Sequence, residues 1–453
     1  RSTAGGGRRA PRTDGGVVTA RTSSAREVAR RVLARVGERG AWATLALTAE
    51  LTAADLDERD RRFATELVYG TLRHQLRLER ALAAHAELGK ARPPVRAALL
   101  VAAYQLLFLR VPSHAAVDDA VTAVRARFGP KLGGFVNAVL RKLATTGEPP
   151  LPTAPRARLA LEHSLTPWLI DEVAAQVPAD ELAAAVAGLT TQAPLWIRVN
   201  RTRATPAEVT AALTKDGATV TASPYDDHAL AVEGLGDPAR APTFRVGLWT
   251  VQDLAAQLVG RMMAPEPGER VLDACAGVGG KTTHLAELAP GVTIDAVDPL
   301  AAKLALAQGA ALRLGLGGIT THVGPLASLP ADRTYDRVLV DAPCTGAGVL
   351  RRHPEAGLRL TRDDVTSLAA VQAELLALAA ARVRPGGVLV YAVCTITAAE
   401  GPAQLAQFLA AHPAFTVEAP PLPDAVVVDG AVRTWPHRHG ADGFFAARLR
   451  RAP

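Results

Sequence analysis

Two of the three cysteines in this 453-residue chain follow apolar segments that are predicted to be buried strands. Cys344 lies just beyond the segment Arg337–Asp341, and Cys394 directly follows Gly387–Val393. Because parallel strands deliver their carboxyl ends to one edge of a sheet, we expect both thiols at that edge. A single cysteine after a strand is more often a small buried apolar residue than a nucleophile. Two such cysteines beside an acid favour thiol chemistry.

The chemistry that suits this arrangement is methylation of a pyrimidine ring. A thiolate can add reversibly to carbon 6 of cytosine and convert the ring to an enamine, which makes carbon 5 nucleophilic. Asp341 could hydrogen-bond the amide edge of the ring and stabilise charge that develops during addition. Carbon 5 must later lose its hydrogen so that the sulfur can leave, and Cys344 is a candidate participant in that release. The cysteine spacing does not fit a zinc site, so we expect no structural metal.

A glycine-rich loop follows another predicted strand. The strand Arg270–Cys275 is separated from a predicted helix by Ala276-Gly-Val-Gly-Gly-Lys281, an order that brings bare backbone close to a ligand. About twenty residues later the next predicted strand ends at Asp298, where an acid can accept hydrogen bonds from two ribose hydroxyls. A nucleoside ligand is therefore favoured over a purely structural turn. The loop is neither GxGxxG nor GxxxxGK[ST], which disfavours dinucleotides and ATP but not a sulfonium nucleoside.

The spacing of apolar residues divides the chain into four parts. Residues 1–20 are rich in Gly, Arg, Thr and Pro and are predicted to be a disordered basic tail. Residues 21–146 have helical spacing broken at Pro and Gly, which predicts an all-helical domain. Residues 147–246 contain a linker and a small α+β subdomain with a predicted strand at Leu195–Asn200. In residues 247–453 strands alternate with amphipathic helices, as in a parallel α/β sheet.

The composition is that of a soluble globular protein, with 49% hydrophobic and 21% charged residues. The longest apolar run, Ala97–Leu109, is interrupted by Gln105 and is too short to cross a bilayer. The start of the chain lacks the apolar core of a signal peptide, so we expect a cytoplasmic protein with reduced thiols. The net charge of +7 suits a polyanionic partner, although coding bias explains the arginine content equally well.

Several segments, in order and in spacing, resemble the motifs of the RsmB/NOP (Fmu/Sun) family of RNA 5-methylcytosine methyltransferases. These segments are Asp273–Glu287, Asp341–Glu355, Tyr391–Thr395 and Asp442–Leu449. Upstream, Asp57–Gly70 and Gly134–Leu143 resemble the NusB-like RNA-binding domain that is fused to the bacterial RsmB branch. The resemblance covers nearly all of the chain after Arg21.

This resemblance implies an α/β class I (Rossmann-like) methyltransferase domain with an N-terminal all-α NusB-like domain and a small α+β linking subdomain. The implied cofactor is S-adenosylmethionine, with Asp298 on its ribose. The other implied cofactor-binding residues are Cys275, Ala276, Gly277, Val278, Gly279, Gly280, Lys281 and Asp341. Cys394 is the implied nucleophile and Cys344 the group that assists release. Asp341 and Lys281 complete the implied catalytic set, with Lys281 favouring the thiolate electrostatically.

The resemblance also implies a substrate. In this family the target cytosine lies in small-subunit ribosomal RNA, although transfer RNA is an alternative, and the base must leave its stack to reach the thiol. We expect the helical domain and the Leu195–Asn200 segment to grip RNA near a loop. We expect a monomer that binds neither DNA nor membranes.

Some positions differ from the family pattern. Gly277-Val278 replaces Ala-Pro, Pro325 lies where relatives place an Asp toward the adenine, and Gly401 replaces Asn. Pro325 and Gly401 suggest an alternative, a non-catalytic RNA-binding or ribosome-assembly factor, which a measurement of methyl transfer would distinguish. An antitermination module is a further alternative, but it leaves both strand-end thiols without a purpose.

A few residues have open interpretations. Gln252 and Asp253 belong either to the site or to a helix cap. The sequence Arg351-Arg352-His353 either contacts RNA phosphates, which the resemblance favours, or forms a solvated loop. The tryptophans show no clustered stacking pattern and are predicted to be core residues; they are Trp42, Trp168, Trp196, Trp249 and Trp435.

Overall fold

The structure is a computed structural model that describes residues 24–453, so the predicted tail, residues 1–20, lies outside the described residues. The chain divides into two compact units. Among the described residues, one comprises residues 24–71 and His85–Thr145, and the other comprises Leu72–Ala84 and Thr146–Pro453. No helix of the described residues has the length and apolarity needed to cross a membrane.

The N-terminal part is all helical, as predicted. Ser24 caps the first helix by accepting a hydrogen bond from the backbone of Glu27, and Pro93 and Pro130 occupy first turns, where the missing amide proton costs nothing. The helices are α1 Ala25–Arg39, α2 Ala43–Ala53, α3 Glu58–Arg73, α4 Gln75–Ala83, α5 Pro93–Phe108, α6 Ser113–Phe128 and α7 Pro130–Thr146. Helix α5 is buried along most of its length and so forms the centre of the first unit. Helix α4 belongs to the second unit.

The small α+β subdomain contains an antiparallel sheet with the strand order β2-β3-β1-β4. Its elements are α8 Pro155–Glu162, α9 Pro167–Gln176, α10 Leu182–Thr190, β1 Leu195–Val199, α11 Pro206–Lys215, β2 Thr219–Ala222, β3 Ala229–Glu233, α12 Pro242–Arg245 and β4 Trp249–Val251. Helix α11 starts with a capping box in which Thr205 and Glu208 exchange hydrogen bonds. The strand predicted from Leu195 onward is present as β1.

The C-terminal part is a three-layer α/β domain. Its elements are α13 Leu254–Met263, β5 Arg270–Asp273, α14 Gly280–Leu288, β6 Thr293–Asp298, α15 Ala301–Leu314, β7 Ile319–Val323, β8 Tyr335–Asp341, α16 Ala356–Arg359, α17 Arg362–Ala380, β9 Val383–Val393, α18 Pro402–Ala411, β10 Phe415–Val417, β11 Val427–Val428, β12 Ala431–Thr434, α19 Pro436–His439 and β13 Phe444–Arg451. Short 3-10 helices occur at Leu88–Lys90, Pro238–Arg240, Leu326–Ser328 and Asp424–Val426.

The main sheet has the order β11-β12-β13-β9-β8-β5-β6-β7, with β10 paired to β13. The predicted parallel pairing holds from β9 to β7, but β10 to β13 pair antiparallel. One reason is local: Asp429 and Gly430 both have positive φ, +53° and +77°, which suits the tight turn of the β11–β12 hairpin. Strand β5 pairs with β6 on one side and β8 on the other. The strand order therefore reverses at β5, where α/β sheets bind ligands at their carboxyl edge.

The tryptophan prediction is only partly right. Trp196, Trp249 and Trp435 are buried, but Trp42 is 48% exposed. Trp42 is the N-cap residue of α2. It therefore lies at the end of the helix and not on the apolar face that the helix buries. Trp168 is partly buried and donates a hydrogen bond to the carbonyl of Leu360 (3.0 Å).

Candidate active site

The glycine loop turns sharply from β5 into α14. Gly277 and Gly279 have φ values of +54° and +82°, which L side chains rarely adopt. A Cβ on Gly279 would lie 2.5 Å from the Cβ of Ala307 on α15, whereas a Cβ on Gly277 would have open space around it. The loop therefore packs closely on its inner side and exposes bare backbone on its outer side, as a ligand site at a sheet edge requires.

Asp298 ends β6 beside this loop. Its Oδ2 accepts a hydrogen bond from the amide of Gly277 (3.1 Å), and its Oδ1 accepts one from the amide of Leu300 (2.8 Å). These contacts fix the carboxylate, while each oxygen keeps a second lone pair for an incoming donor. The geometry suits the recognition of a ribose diol.

The residues around the loop fit S-adenosylmethionine. The Nε2 of Gln252 is buried without a hydrogen-bond partner among the described residues, and a Cβ on Gly280 would lie 3.8 Å from it. An unpaired donor here suits a ligand with an acceptor group, such as the carboxylate of a methionine. Three apolar side chains near the loop are more than half exposed and could cover a purine ring. They are Val278 after β5, Leu300 after β6 and Val323 at the end of β7. The position of Gln252 is therefore consistent with a role in the site.

Cys344 and Cys394 meet at the same sheet edge. Strands β8 and β9 are parallel neighbours, and the two Sγ atoms lie 3.2 Å apart. The hydrogen bond with Cys394 and burial raise the pKa of Cys344 well above its usual range. The third thiol, Cys275, lies in the loop, and burial raises its pKa to about 12. A nucleophile must ionise, so Cys275 is unsuited to that role.

Lys281 and Asp341 form an ion pair between the loop and the thiols. The Nζ of Lys281 lies 2.5 Å from the Oδ2 of Asp341 and 5.4 Å from the ring centre of Phe444. Burial is the largest single effect and would lower the pKa of Lys281, but the charge and hydrogen bond of Asp341, together with the charges of Cys394 and Asp273, outweigh burial and the pKa is raised. The charge of an ionised Cys394 acts in the same direction. The site therefore holds a fixed cation close to Cys394.

The predicted contact of Arg351 with RNA phosphate is wrong. Arg351 is only 4% exposed, and it pairs with Asp442 (2.5 Å) and Asp253 (3.5 Å). Arg352 pairs with the same two acids, at 2.6 Å and 2.8 Å. Asp253 also caps α13 by accepting a hydrogen bond from Ala255, so the capping interpretation of Asp253 is the correct one. This cluster ties the segment after Cys344 to the segment that carries Phe444.

The prediction that Leu195–Asn200 grips RNA is also wrong, because the β1 residues are buried or partly buried. Arg198 is 1% exposed and donates to both carboxylate oxygens of Glu287 (2.6 and 2.9 Å) and to the carbonyl of Gly280 (2.9 Å). It therefore holds the start of α14, next to Lys281, instead of a phosphate. Sequence reasoning missed this role because Arg198 and Glu287 are far apart in the chain.

Glu400 and Gly401 lie behind the thiols. The carboxylate of Glu400 is fully buried and accepts a hydrogen bond from the amide of Thr345 (2.8 Å). A Cβ on Gly401 would lie 3.1 Å from the ring of Phe445, so the glycine at this position suits the local packing. The sequence gives no sign of these contacts, because Thr345 lies 55 residues before Glu400.

The carboxyl group of Asp273, at the end of β5, is buried, and the effect of burial on its ionisation can be measured. Burial raises its pKa to about 6, while an unfolded chain ionises this group near its ordinary value, about 3.9. The folded state is thus favoured below the unfolded pKa, and this advantage is lost as the pH rises through about 6. Asp273→Asn stays neutral and keeps an acceptor for Thr282.

We therefore compare the unfolding free energies of Asp273→Asn and the wild type without cofactor. As the pH rises from about 4 to about 7, their difference should shift in favour of the variant by on the order of 3 kcal/mol. Urea unfolding at several pH values measures this difference. A difference that does not change with pH would contradict the expected ionisation.

The fold and the site together define a class I methyltransferase that combines a nucleoside-binding loop with two adjacent thiols. Residues 261–450 match the family described as 16S rRNA methyltransferase RsmB/F. Residues 23–145 match the NusB family, and residues 166–237 match the ferredoxin-like domain of RsmF/B-like methyltransferases.

Relatives match over nearly the whole chain. A putative methyltransferase of Mycobacterium tuberculosis, Rv1407, is 39% identical, over 94% of this chain and 96% of the relative. The probable ribosomal RNA small subunit methyltransferase B of Bacillus subtilis is 33% identical, over 95% and 99%. The crystal structure of PH0851 superposes with a TM-score of 0.81 at 29% identity, over 94% of this chain and 98% of that one. NSun6 of Pyrococcus horikoshii, with SFG, shares the fold at a TM-score of 0.58 and 21% identity, over 63% and 98%.

This chain therefore belongs to the RsmB/F family of 16S rRNA methyltransferases. It is an RNA methyltransferase that uses S-adenosylmethionine. The family resemblance, the fold class and the cofactor predicted from the sequence are confirmed.

Proposed function

We propose that this enzyme methylates carbon 5 of a cytosine in small-subunit ribosomal RNA through a covalent adduct between Cys394 and carbon 6. The observation that carries the proposal is the pair of thiols, with Sγ atoms 3.2 Å apart, beside the Lys281–Asp341 ion pair. A methyltransferase that acted on an amine or a hydroxyl would need no thiol. The name of the Bacillus subtilis relative supports the choice of RNA.

Cys394 begins the reaction as a thiolate. The ammonium of Lys281 stabilises that charge, since it lies beside Cys394 and keeps its proton. Asp341 uses Oδ2 to bind Lys281, which leaves Oδ1 to accept a hydrogen bond from the exocyclic amine of cytosine. Addition of Sγ to carbon 6 moves an electron pair toward carbon 5. The glycine loop and Asp298 would hold S-adenosylmethionine, which would supply the electrophilic methyl group.

Release requires a base near carbon 5. In the resting pair Cys344 keeps its proton, because it is hydrogen-bonded to Cys394 and buried. Once Cys394 is bonded to carbon, that hydrogen bond is lost, and Cys344 can give its proton to solvent and accept the proton of carbon 5. The electron pair of the broken C–H bond then restores the ring double bond and expels the sulfur of Cys394.

The test is to identify the methylated product. The protein is incubated with deproteinised small-subunit RNA and cofactor that carries an isotopically labelled methyl group, and the RNA is digested to nucleosides for mass spectrometry. We expect the label in 5-methylcytidine. Transfer RNA in a parallel reaction tests the choice of substrate, and we expect it to be a much poorer acceptor.

Two outcomes would contradict the proposal. Label on an exocyclic nitrogen, on a ribose or on another base would exclude carbon 5 chemistry. Binding of RNA and cofactor without any transfer would favour the non-catalytic factor.

A further inference from the structure

The buried carboxylate of Glu400 connects the two loops that carry the thiols. Its Oε2 accepts hydrogen bonds from the hydroxyls of Thr345 (2.6 Å), Thr395 (3.1 Å) and Thr397 (2.7 Å). Its Oε1 accepts from the amide of Thr345 (2.8 Å) and from the side chain of Gln372 (3.1 Å). These five donors surround both oxygens of the carboxylate.

The bridged residues directly follow the two thiols. Thr345 comes immediately after Cys344, and Thr395 immediately after Cys394. Their hydroxyls also lie 3.0 Å from each other. Because both loops hydrogen-bond the same carboxylate, Glu400 fixes the loop after β8 relative to the loop after β9. The 3.2 Å separation of the sulfur atoms depends on that relation.

The charge of Glu400 is balanced only by neutral donors. None of the ion pairs formed by residues 24–453 includes Glu400, although burying a lone charge is costly. The five donors around Glu400 suit a carboxylate better than a neutral amide, which has a single acceptor oxygen and would turn N–H donors toward them. The ionised carboxylate also places a negative charge near Cys344.

The charge of Glu400 acts on Cys344. The hydrogen bond with Cys394 and burial raise the pKa of Cys344, and the charges of Cys394 and Glu400 raise it further. Lys281, which is ion-paired with Asp341, interacts favourably with an ionised Cys394. The charged and titratable groups around the thiols are thus Lys281, Asp341, Glu400 and Tyr391. The charge of Glu400 thus opposes ionisation of Cys344, whereas Lys281 interacts favourably with an ionised Cys394.

We infer that Glu400 is a positioning residue that holds the two thiol loops in register and keeps the proton on Cys344, so that Cys394 alone is the thiolate. The inference rests on the proposed function in that it explains why Cys394, and not its neighbour, attacks. Glu400 itself does not touch the substrate.

Alkylation of the free enzyme tests this assignment without RNA or cofactor. The protein is treated briefly with iodoacetamide at mildly alkaline pH, and initial rates at each cysteine are read from peptide masses. In the wild type we expect Cys394 to react first and Cys275, whose pKa is about 12, to stay unmodified. In Glu400→Gln, which keeps the shape but removes the charge, the ratio of Cys394 to Cys344 rates should fall about tenfold, equivalent to one pKa unit.

Matched variants separate charge from structure. Thr397→Val removes one hydrogen bond to Glu400 but keeps the charge, and Glu400→Asp keeps the charge on a shorter side chain. Both should retain the preference for Cys394. An unchanged ratio in Glu400→Gln, or an equal fall in Glu400→Asp, would overturn the inference.

A second measurement does not depend on the folding of any Glu400 variant. In Cys394→Ala the remaining Cys344 should react at least about tenfold more slowly than Cys394 does in Cys344→Ala. Equal rates would overturn the inference. The proposed function fails on a separate result, namely methyl transfer that persists without Cys394.

Discussion

Cys394→Ala is expected to reduce methyl transfer to RNA by roughly a thousandfold or more, because the ring cannot become nucleophilic without the added sulfur. The side chain is small and partly exposed, so its removal should leave the fold intact. Cofactor binding, measured by equilibrium dialysis, should therefore be retained. Incorporation of labelled methyl groups into deproteinised small-subunit RNA measures the loss. Transfer at the wild-type rate would refute the covalent mechanism.

Cys344→Ala is the matched control, because it removes the neighbouring thiol, 3.2 Å away. We expect this variant to form the adduct and to release it slowly, since the base near carbon 5 is gone. A protein–RNA species that survives denaturing electrophoresis should accumulate in Cys344→Ala and be absent from Cys394→Ala. Accumulation in Cys394→Ala instead would exchange the roles of the two thiols.

Arg198→Met is expected to lower the free energy of unfolding by about 3–5 kcal/mol, because it leaves the carboxylate of Glu287 buried without its partner. Both side chains are almost fully buried, so solvent screens the pair very little. Urea denaturation followed by the fluorescence of the buried Trp196 and Trp249 measures the change. The affinity for cofactor should fall as well, because Arg198 holds the carbonyl of Gly280.

The double variant Arg198→Met with Glu287→Met serves as the control. Replacement of a buried ion pair by apolar residues of similar size is often neutral, so most of the stability should return. The affinity for cofactor should not return, because the hydrogen bond to Gly280 is still missing. A double variant as unstable as Arg198→Met would show that the loss comes from packing instead of an unpaired charge.

Local sequence signals were enough to predict the frame of the site. Glycines 277 and 279 occupy positions of positive φ, and Asp298 ends the neighbouring strand, so the sequence correctly predicted a sharp glycine turn beside a strand-end acid. That this turn binds a nucleoside stays a prediction. The thiols follow β8 and β9, and the prediction that they share an edge needed only the rule that parallel strands are aligned. These features depend on residues that are close in sequence.

The rest of the site depends on contacts between distant residues, which a single sequence does not reveal. Arg351 looked like a solvent-exposed cation until the fold brought Asp253 and Asp442 to it from positions 98 and 91 residues away. The antiparallel end of the sheet is different. Asp429-Gly430 between apolar residues is a local sequence pattern typical of a hairpin turn, so this pairing was predictable from sequence.

Strand β1 determines how this enzyme could be shortened. Arg198 and Asn200 are two residues apart and project to the same side of the strand. Arg198 anchors α14, whereas Asn200 donates to the carbonyl of Leu314 at the end of α15 (2.9 Å). An excised fragment that began at residue 261 would lose both anchors. The carboxylate of Glu287 would then have no ion-pair partner. The smallest autonomous cofactor-binding piece must therefore include the polypeptide from before residue 195.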